Sequence, residues 1–204
     1  MAVYLILGMT YAFAAAVQPG PFLAYLISQT LANGWRRTFP AAFAPLLSDG
    51  PIIALVLLVL SRMPAWIIQA LQCAGGIFLI YLAFGALNTW RNYNADETIN
   101  NKSIRHTVFK AVLVNLLNPA PYLGWSLVMG PLLLKGWREV PAYGIALLAG
   151  FYAVLIFVTL GIMLLFSAAK NFGPRVSRAL VGLSAVALAF FGLYEIWLGI
   201  GAPG

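Results

Sequence analysis

Few residues in this 204-residue chain can do chemistry, and one of them stands out by its surroundings. Asp49 lies about 10 residues, or roughly 15 Å at the helical rise, inside an otherwise apolar stretch. At that depth in a bilayer a carboxylate is costly unless it is paired, hydrated or protonated, so it is expected to face a cavity or a proton path. Such a group can take up a proton in one state and release it, or meet an ammonium, in another. Pro45, Gly50 and Pro51 around it predict an irregular helix. The plainer role is a structural hydrogen bond to backbone N–H groups freed nearby.

Two Pro-X-Pro elements would free such groups. Pro19-Gly20-Pro21 and Pro119-Ala120-Pro121 each place two prolines within three residues of an apolar run. A proline lacks an N–H and clashes with the carbonyl one turn earlier, so each doublet is expected to break its helix deep in the membrane. Gln18 precedes the first doublet, and Asn115 and Asn118, one helical turn apart, precede the second. Their amides both donate and accept, which suits a zwitterionic ligand; they would serve equally well as caps on the broken ends. Tyr81, Tyr122 and Trp125 are candidate cavity walls. Glu195 and Arg62 are expected to snorkel from the outer ends of their spans.

Enzyme chemistry has little to work with here. One His, His106, and one Cys, Cys73, give no histidine metal site, no CxxC redox pair and no disulfide framework. With a single mid-membrane carboxylate no triad, dyad or metal centre can be assembled, so neither an enzyme nor a cofactor is expected.

The elements that must position these residues are spanning helices. Hydrophobic residues make up 62% of the chain and charged residues 8%, against about 25% charged in a soluble domain, so most of its surface must face lipid. Charges divide the chain into six stretches of roughly spanning length, with approximate limits 3–30, 39–60, 65–88, 107–134, 141–168 and 178–200. The start, Met1 to Thr10, lacks a positive n-region and is read as part of the first span. Small residues at four-residue intervals, Ala12, Ala16 and Gly20, offer a face on which another helix can pack closely. The long polar connection 90–106, with Asp96 and Glu97, is expected to be a solvated loop. Its Asn101-Lys102-Ser103 matches a glycosylation pattern only weakly.

Twelve Lys and Arg against five Asp and Glu give a net charge of +7, yet no basic run with interleaved aromatics tracks a nucleic acid. These charges are topological signals. Connection 1–2 holds Arg36 and Arg37, connection 3–4 holds Arg91, Lys102, Arg105 and Lys110, and connection 5–6 holds Lys170, Arg175 and Arg178. Only Arg62, Lys135 and Arg138 fall on the other side, so both termini are expected outside.

The sequence also repeats itself. Pro19-Gly20-Pro21-Phe22-Leu23 returns as Pro119-Ala120-Pro121-Tyr122-Leu123, Gly34-Trp35-Arg36 as Gly136-Trp137-Arg138, Phe39-Pro40-Ala41 as Val140-Pro141-Ala142, and Phe84-Gly85 as Phe191-Gly192. Three spans per half force the second half to start from the opposite side, which predicts an inverted repeat with a site near the midplane. The expected fold is thus an all-α integral membrane protein. Its first three-helix repeat is 1–89, its cytoplasmic loop 90–106 and its second repeat 107–204, with broken helices at spans 1 and 4.

Val17-Gln18-Pro19-Gly20-Pro21, Gly34 followed by Arg36-Arg37, Asp49, Gly75-Gly76-Ile77-Phe78-Leu79-Ile80-Tyr81-Leu82 and Asn115-Leu116-Leu117-Asn118-Pro119 together resemble the LysE/RhtB-type amino-acid exporters. The resemblance covers nearly the whole chain. It implies a small bacterial inner-membrane protein that exports amino acids or related metabolites, driven by the proton gradient. Three positions depart from the family's pattern. Ala120 stands where the family often has Lys, Ser48 where it often has Gly before the aspartate, and Ala83 where it often has Gly.

The expected function is a secondary transporter working by alternating access, its partners a small zwitterion, protons and the lipid bilayer. Asp49 is the expected proton or ammonium acceptor. Gln18, Pro19, Gly20, Pro21, Asn115, Asn118, Pro119, Ala120 and Pro121 are the expected substrate site. A passive channel or a structural membrane subunit are the alternatives, and a homo-oligomer is left open.

Overall fold

The computed structural model describes residues 1–58, 65–92, 104–168 and 173–201, which form helices and short connections with no strand among them. Arg62, Asp96, Glu97, Lys102 and Lys170, and the Asn101-Lys102-Ser103 pattern, lie outside these residues.

Helix α1 (Ala2–Val17) stops where Gln18 turns extended, and α2 (Pro21–Asn33) restarts after an extended Gly20, bent by 63° from α1. Gly34 ends α2 at φ +82°, a conformation glycine adopts without strain, and α3 (Trp35–Thr38) follows. A 3-10 segment, Phe39–Phe43, leads into α4 (Ala44–Leu58), which carries Pro51 internally. Then come α5 (Ala65–Arg91), α6 (Ile104–Leu117), α7 (Pro119–Gly124), a π-helical turn at Trp125–Met129 and α8 (Gly130–Glu139). The stretch Pro119–Glu139 is bent by 55° from α6. Helices α9 (Pro141–Ala168) and α10 (Pro174–Gly201) complete the chain. Both Pro-X-Pro elements therefore mark broken helices, as expected.

Among the described residues four helices are long and apolar enough to cross a bilayer unaided, and up to six spans result when each bent pair counts as one. Large apolar side chains point outward along them; Phe157, Leu165 and Leu127 are more than 70% exposed. A surface of this kind is stable only against lipid, and the chain is a multi-pass membrane protein.

Helices pack where side chains vanish. On α1 the buried stripe is Tyr4, Gly8, Ala12 and Ala16. It packs on α9, where Gly8 lies against the Leu147 backbone and Gly150 against Leu5. Ala12 and Ala16 thus belong to a close-packing face as expected; Gly20 does not extend it, because it lies in the break beyond the end of α1. Helices α5 and α10 meet through Gly76 and Gly192.

The two ends of the bundle are pinned separately. At one end the Tyr4 hydroxyl donates to Glu139 at 3.0 Å, and its ring stacks on Tyr143 with centroids 5.4 Å apart, joining the start of α1 to the α8–α9 turn. At the other end the Tyr25 hydroxyl donates to the Thr107 carbonyl at 3.2 Å, and the Arg178 guanidinium lies 5.4 Å from the Trp90 ring centre.

Candidate functional site

Between the two breaks lies a cavity of about 280 Å³. The first break contributes Gln18, Pro19, Gly20 and Pro21 to its wall; the second contributes Asn118, Ala120 and Pro121. Asp49 from α4, Asn115 from α6 and Trp125 from the π-helical turn also line it. The structure gathers ten sequence-chosen residues from five helical segments around one space.

Asp49 is held tightly. It is 3% exposed; its Oδ1 accepts from the Asn115 side-chain amide at 2.9 Å, and its Oδ2 accepts from the Tyr152 hydroxyl at 3.3 Å. The same Asn115 amide nitrogen donates to Ser48 Oγ at 2.7 Å, while the Ser48 hydroxyl donates to the Ala44 carbonyl at 3.0 Å. These bonds fix one carboxylate rotamer at the cavity wall and partly offset the cost of burying it. The partners are side chains from α6 and α9, not backbone N–H groups of a break.

The two breaks differ. At the second, Asn118 Oδ1 accepts from the Ala120 N–H at 3.1 Å, and Pro119 to Pro121 form the first turn of α7. Asn118 is therefore a cap, and the interruption is this single extended residue. At the first, Gly20 precedes α2 with no side-chain cap, leaving the N–H groups of Phe22 and Leu23 without intrahelical partners beside the cavity they line. The positive end of α2 thus meets the cavity uncovered. Replacing Asn118 with Ala should cost about 1 kcal/mol by loss of the cap, read as a lower thermal midpoint in detergent, whereas Asn118→Asp should retain it.

Other expected residues lie elsewhere. Pro119 is buried in the first turn of α7 behind its neighbours. The hydroxyl of buried Tyr122 donates to the Leu116 carbonyl at 2.8 Å, bracing the break rather than lining the cavity. Tyr81 is a correction. It stands six residues beyond Gly75, about 240° around α5, where it meets the N-terminal half of α6 and lies away from the helix breaks. It lines a separate cavity with His106 and Lys110, whose Nζ sits 4.8 Å from its ring centre.

Glu195 is a second correction. Helix α10 runs on to Gly201, so Glu195 is more than a turn inside, and packing against α2 and α5 turns it inward. It is 8% exposed, it lines the main cavity, and its Oε2 has no hydrogen-bond partner. Tyr11, Tyr152, Phe151 and Thr159 were also not singled out in the sequence. The first three carry no mark there that separates them from membrane-belt aromatics, and Phe151 reaches Trp125 edge-on at 5.6 Å. No Lys, Arg or His among the described residues lines this cavity, and no three metal-ligating side chains among them come together.

A family profile described as LysE type translocator matches residues 13–198. The chain belongs to the LysE type translocator family. This is a family of transporters, not enzymes, and membership implies export of a small molecule of the amino-acid kind across a membrane. No curated protein and no solved structure matches the chain significantly. Of the positions that carried the resemblance, Gln18-Pro19-Gly20-Pro21, Asp49, Asn115 and Asn118 line the cavity. Within this LysE type chain, Ser48 is a working part of the Asp49 network through its bonds to Asn115 and Ala44.

Proposed function

We propose that the chain is a proton-coupled secondary transporter of the bacterial inner membrane. It exports an amino acid or a similar small zwitterion by alternating access around the cavity between the two helix breaks. The observation that carries this reading is Asp49, buried at the cavity wall between them. Asp49 accepts a proton or the ammonium of the cargo. Backbone groups at Pro19 to Pro21 hold its polar ends, while Gln18 and Asn115 orient it and Ala120, Pro121 and Trp125 shape the wall. A cavity of about 280 Å³ is near the lower bound for small-ligand pockets, which suits one amino acid and excludes a peptide.

Two inverted three-helix repeats make alternating access possible, and the packing supports them. Exchanging the halves maps the α1–α9 contact onto α4 against α6 and α7, maps α2–α10 onto α5 against α6 and α7, and returns α5–α10 to itself; each of these contacts is present. At the repeat offset of 101, Asp49 corresponds to Gly150, and Tyr152, two residues on, is the residue that bonds to Asp49. Mid-span 2 and mid-span 5 thus meet beside the cavity, near the midplane where such sites form. Both termini lie outside, a placement supported by the basic side formed by Arg36, Arg37, Arg91, Arg105, Lys110, Arg175 and Arg178.

Efflux of a panel of labelled amino acids from proteoliposomes tests the reading. One chemical class should leave faster than from protein-free vesicles and saturate with concentration. Uniform, non-saturating leakage of the whole panel would show a passive pore instead.

A further inference from the structure

Glu195 is a buried carboxylate to which the transport reading gave no role. It approaches the cavity from α10, which packs on α5 and α2, whereas Asp49 approaches from α4 beside α6 and α9. The two acids are also in different states of satisfaction. Both oxygens of Asp49 already accept hydrogen bonds, from Asn115 and Tyr152. Oε2 of Glu195 accepts none, although the residue is 8% exposed. A carboxylate oxygen buried without a donor is unfavourable until a proton or a cation meets it.

The rest of the wall says which kind of ligand would do so. Among the described residues no Lys, Arg or His lines the cavity, so Glu195 has no cationic side chain there to pair with. On the same wall Pro21, Phe22 and Leu23 present the uncapped start of α2, a place for negative charge. The cavity therefore offers an open acceptor for a cation and an open set of donors for an anion.

We propose that Glu195 binds the ammonium group of the cargo while the start of α2 receives its carboxylate, leaving Asp49 to carry the proton. The inference rests on the transporter reading and deepens it, because it divides between two residues what Asp49 would otherwise do alone. The cargo class that follows is a solute with one amino group and one carboxylate close together; a 2-hydroxy acid of the same shape satisfies only one of the two points. An ammonium on a buried carboxylate makes a charge-assisted hydrogen bond, and a hydroxyl in its place leaves the site incompletely paired.

The test compares an amino acid transported by the wild type with its 2-hydroxy analogue, measured as competitors of labelled cargo in proteoliposome exchange. Wild type should bind the amino acid at least about tenfold more tightly than the hydroxy acid. Glu195→Gln should weaken the amino acid by about tenfold or more and leave the hydroxy acid within about threefold, so that the preference collapses. Should that variant fail to insert, Glu195→Asp carries the test, since withdrawing the carboxylate by one methylene weakens the amino acid selectively. A wild-type protein that accepts both analogues equally overturns the assignment, as does a variant that keeps the full preference. A wild-type protein that exchanges no amino acid at all overturns the transporter reading itself, which separates the two failures.

Discussion

Asp49→Asn is expected to abolish gradient-driven export while leaving the protein inserted and folded. The substitution is nearly isosteric, and its amide oxygen can still accept from Asn115, so the wall of the cavity keeps its shape. What it loses is the ability to bind and release a proton. A side chain that cannot change charge cannot tie the direction of rocking to the proton gradient. Exchange of labelled for unlabelled cargo needs no net proton movement and should survive, because Glu195 and the start of α2 still hold the ligand. Proteoliposome assays of efflux and exchange on one preparation of the variant check both halves. Full gradient-driven export by Asp49→Asn would remove the proposed role.

Gly76→Val should be strongly destabilising, because it wedges apart the α5–α10 pair. A β-carbon at Gly76 would lie 2.6 Å from the Gly192 carbonyl oxygen and 2.6 Å from Ile196 Cγ1, and one at Gly192 would lie 2.9 Å from the Gly76 carbonyl oxygen. Backbone on backbone cannot yield by a rotamer change, so α5 and α10 must part along their shared length. Apolar interfaces in lipid depend on such close approach, because no hydrophobic driving force replaces it. Overpacking of this kind costs about 1–3 kcal/mol or more, read as a clear fall in thermal midpoint in detergent. Gly85 on the same helix is the control. A β-carbon there meets nothing within 4 Å, and Gly85→Ala should be neutral or stabilise by up to about 1 kcal/mol.

Much of this frame was legible in the sequence because the signals were covalent or compositional. A doublet of prolines removes N–H groups wherever it sits, so both helix breaks could be placed at Pro19-Gly20-Pro21 and Pro119-Ala120-Pro121 before any packing was known. Asp49 was conspicuous for the same reason, a single carboxylate in a long apolar run. The direction in which each side chain faces was less accessible. Tyr81 and Glu195 lie on smooth apolar helices, where the space a side chain faces depends on the neighbouring helices rather than on local sequence: Tyr81 lines the separate cavity, and Glu195 lines the main one instead of snorkelling. Asn118 shows a subtler limit. An amide beside a break can cap it or bind a ligand, and only the contact to the Ala120 N–H decides for the cap. Tyr152 became visible only through its bond to Asp49, since a tyrosine within a span looks like any belt aromatic.

If a proton gradient moves the cargo by way of this cavity, the protein must drive uphill transport. Proteoliposomes carry equal concentrations of one transported amino acid on both sides, and a pH gradient is then imposed. Net movement of the amino acid against its own developing gradient is expected, reversed when the pH gradient is reversed and absent in Asp49→Asn. Equal concentrations that stay equal under either gradient, with exchange still running, would contradict it and leave an uncoupled carrier.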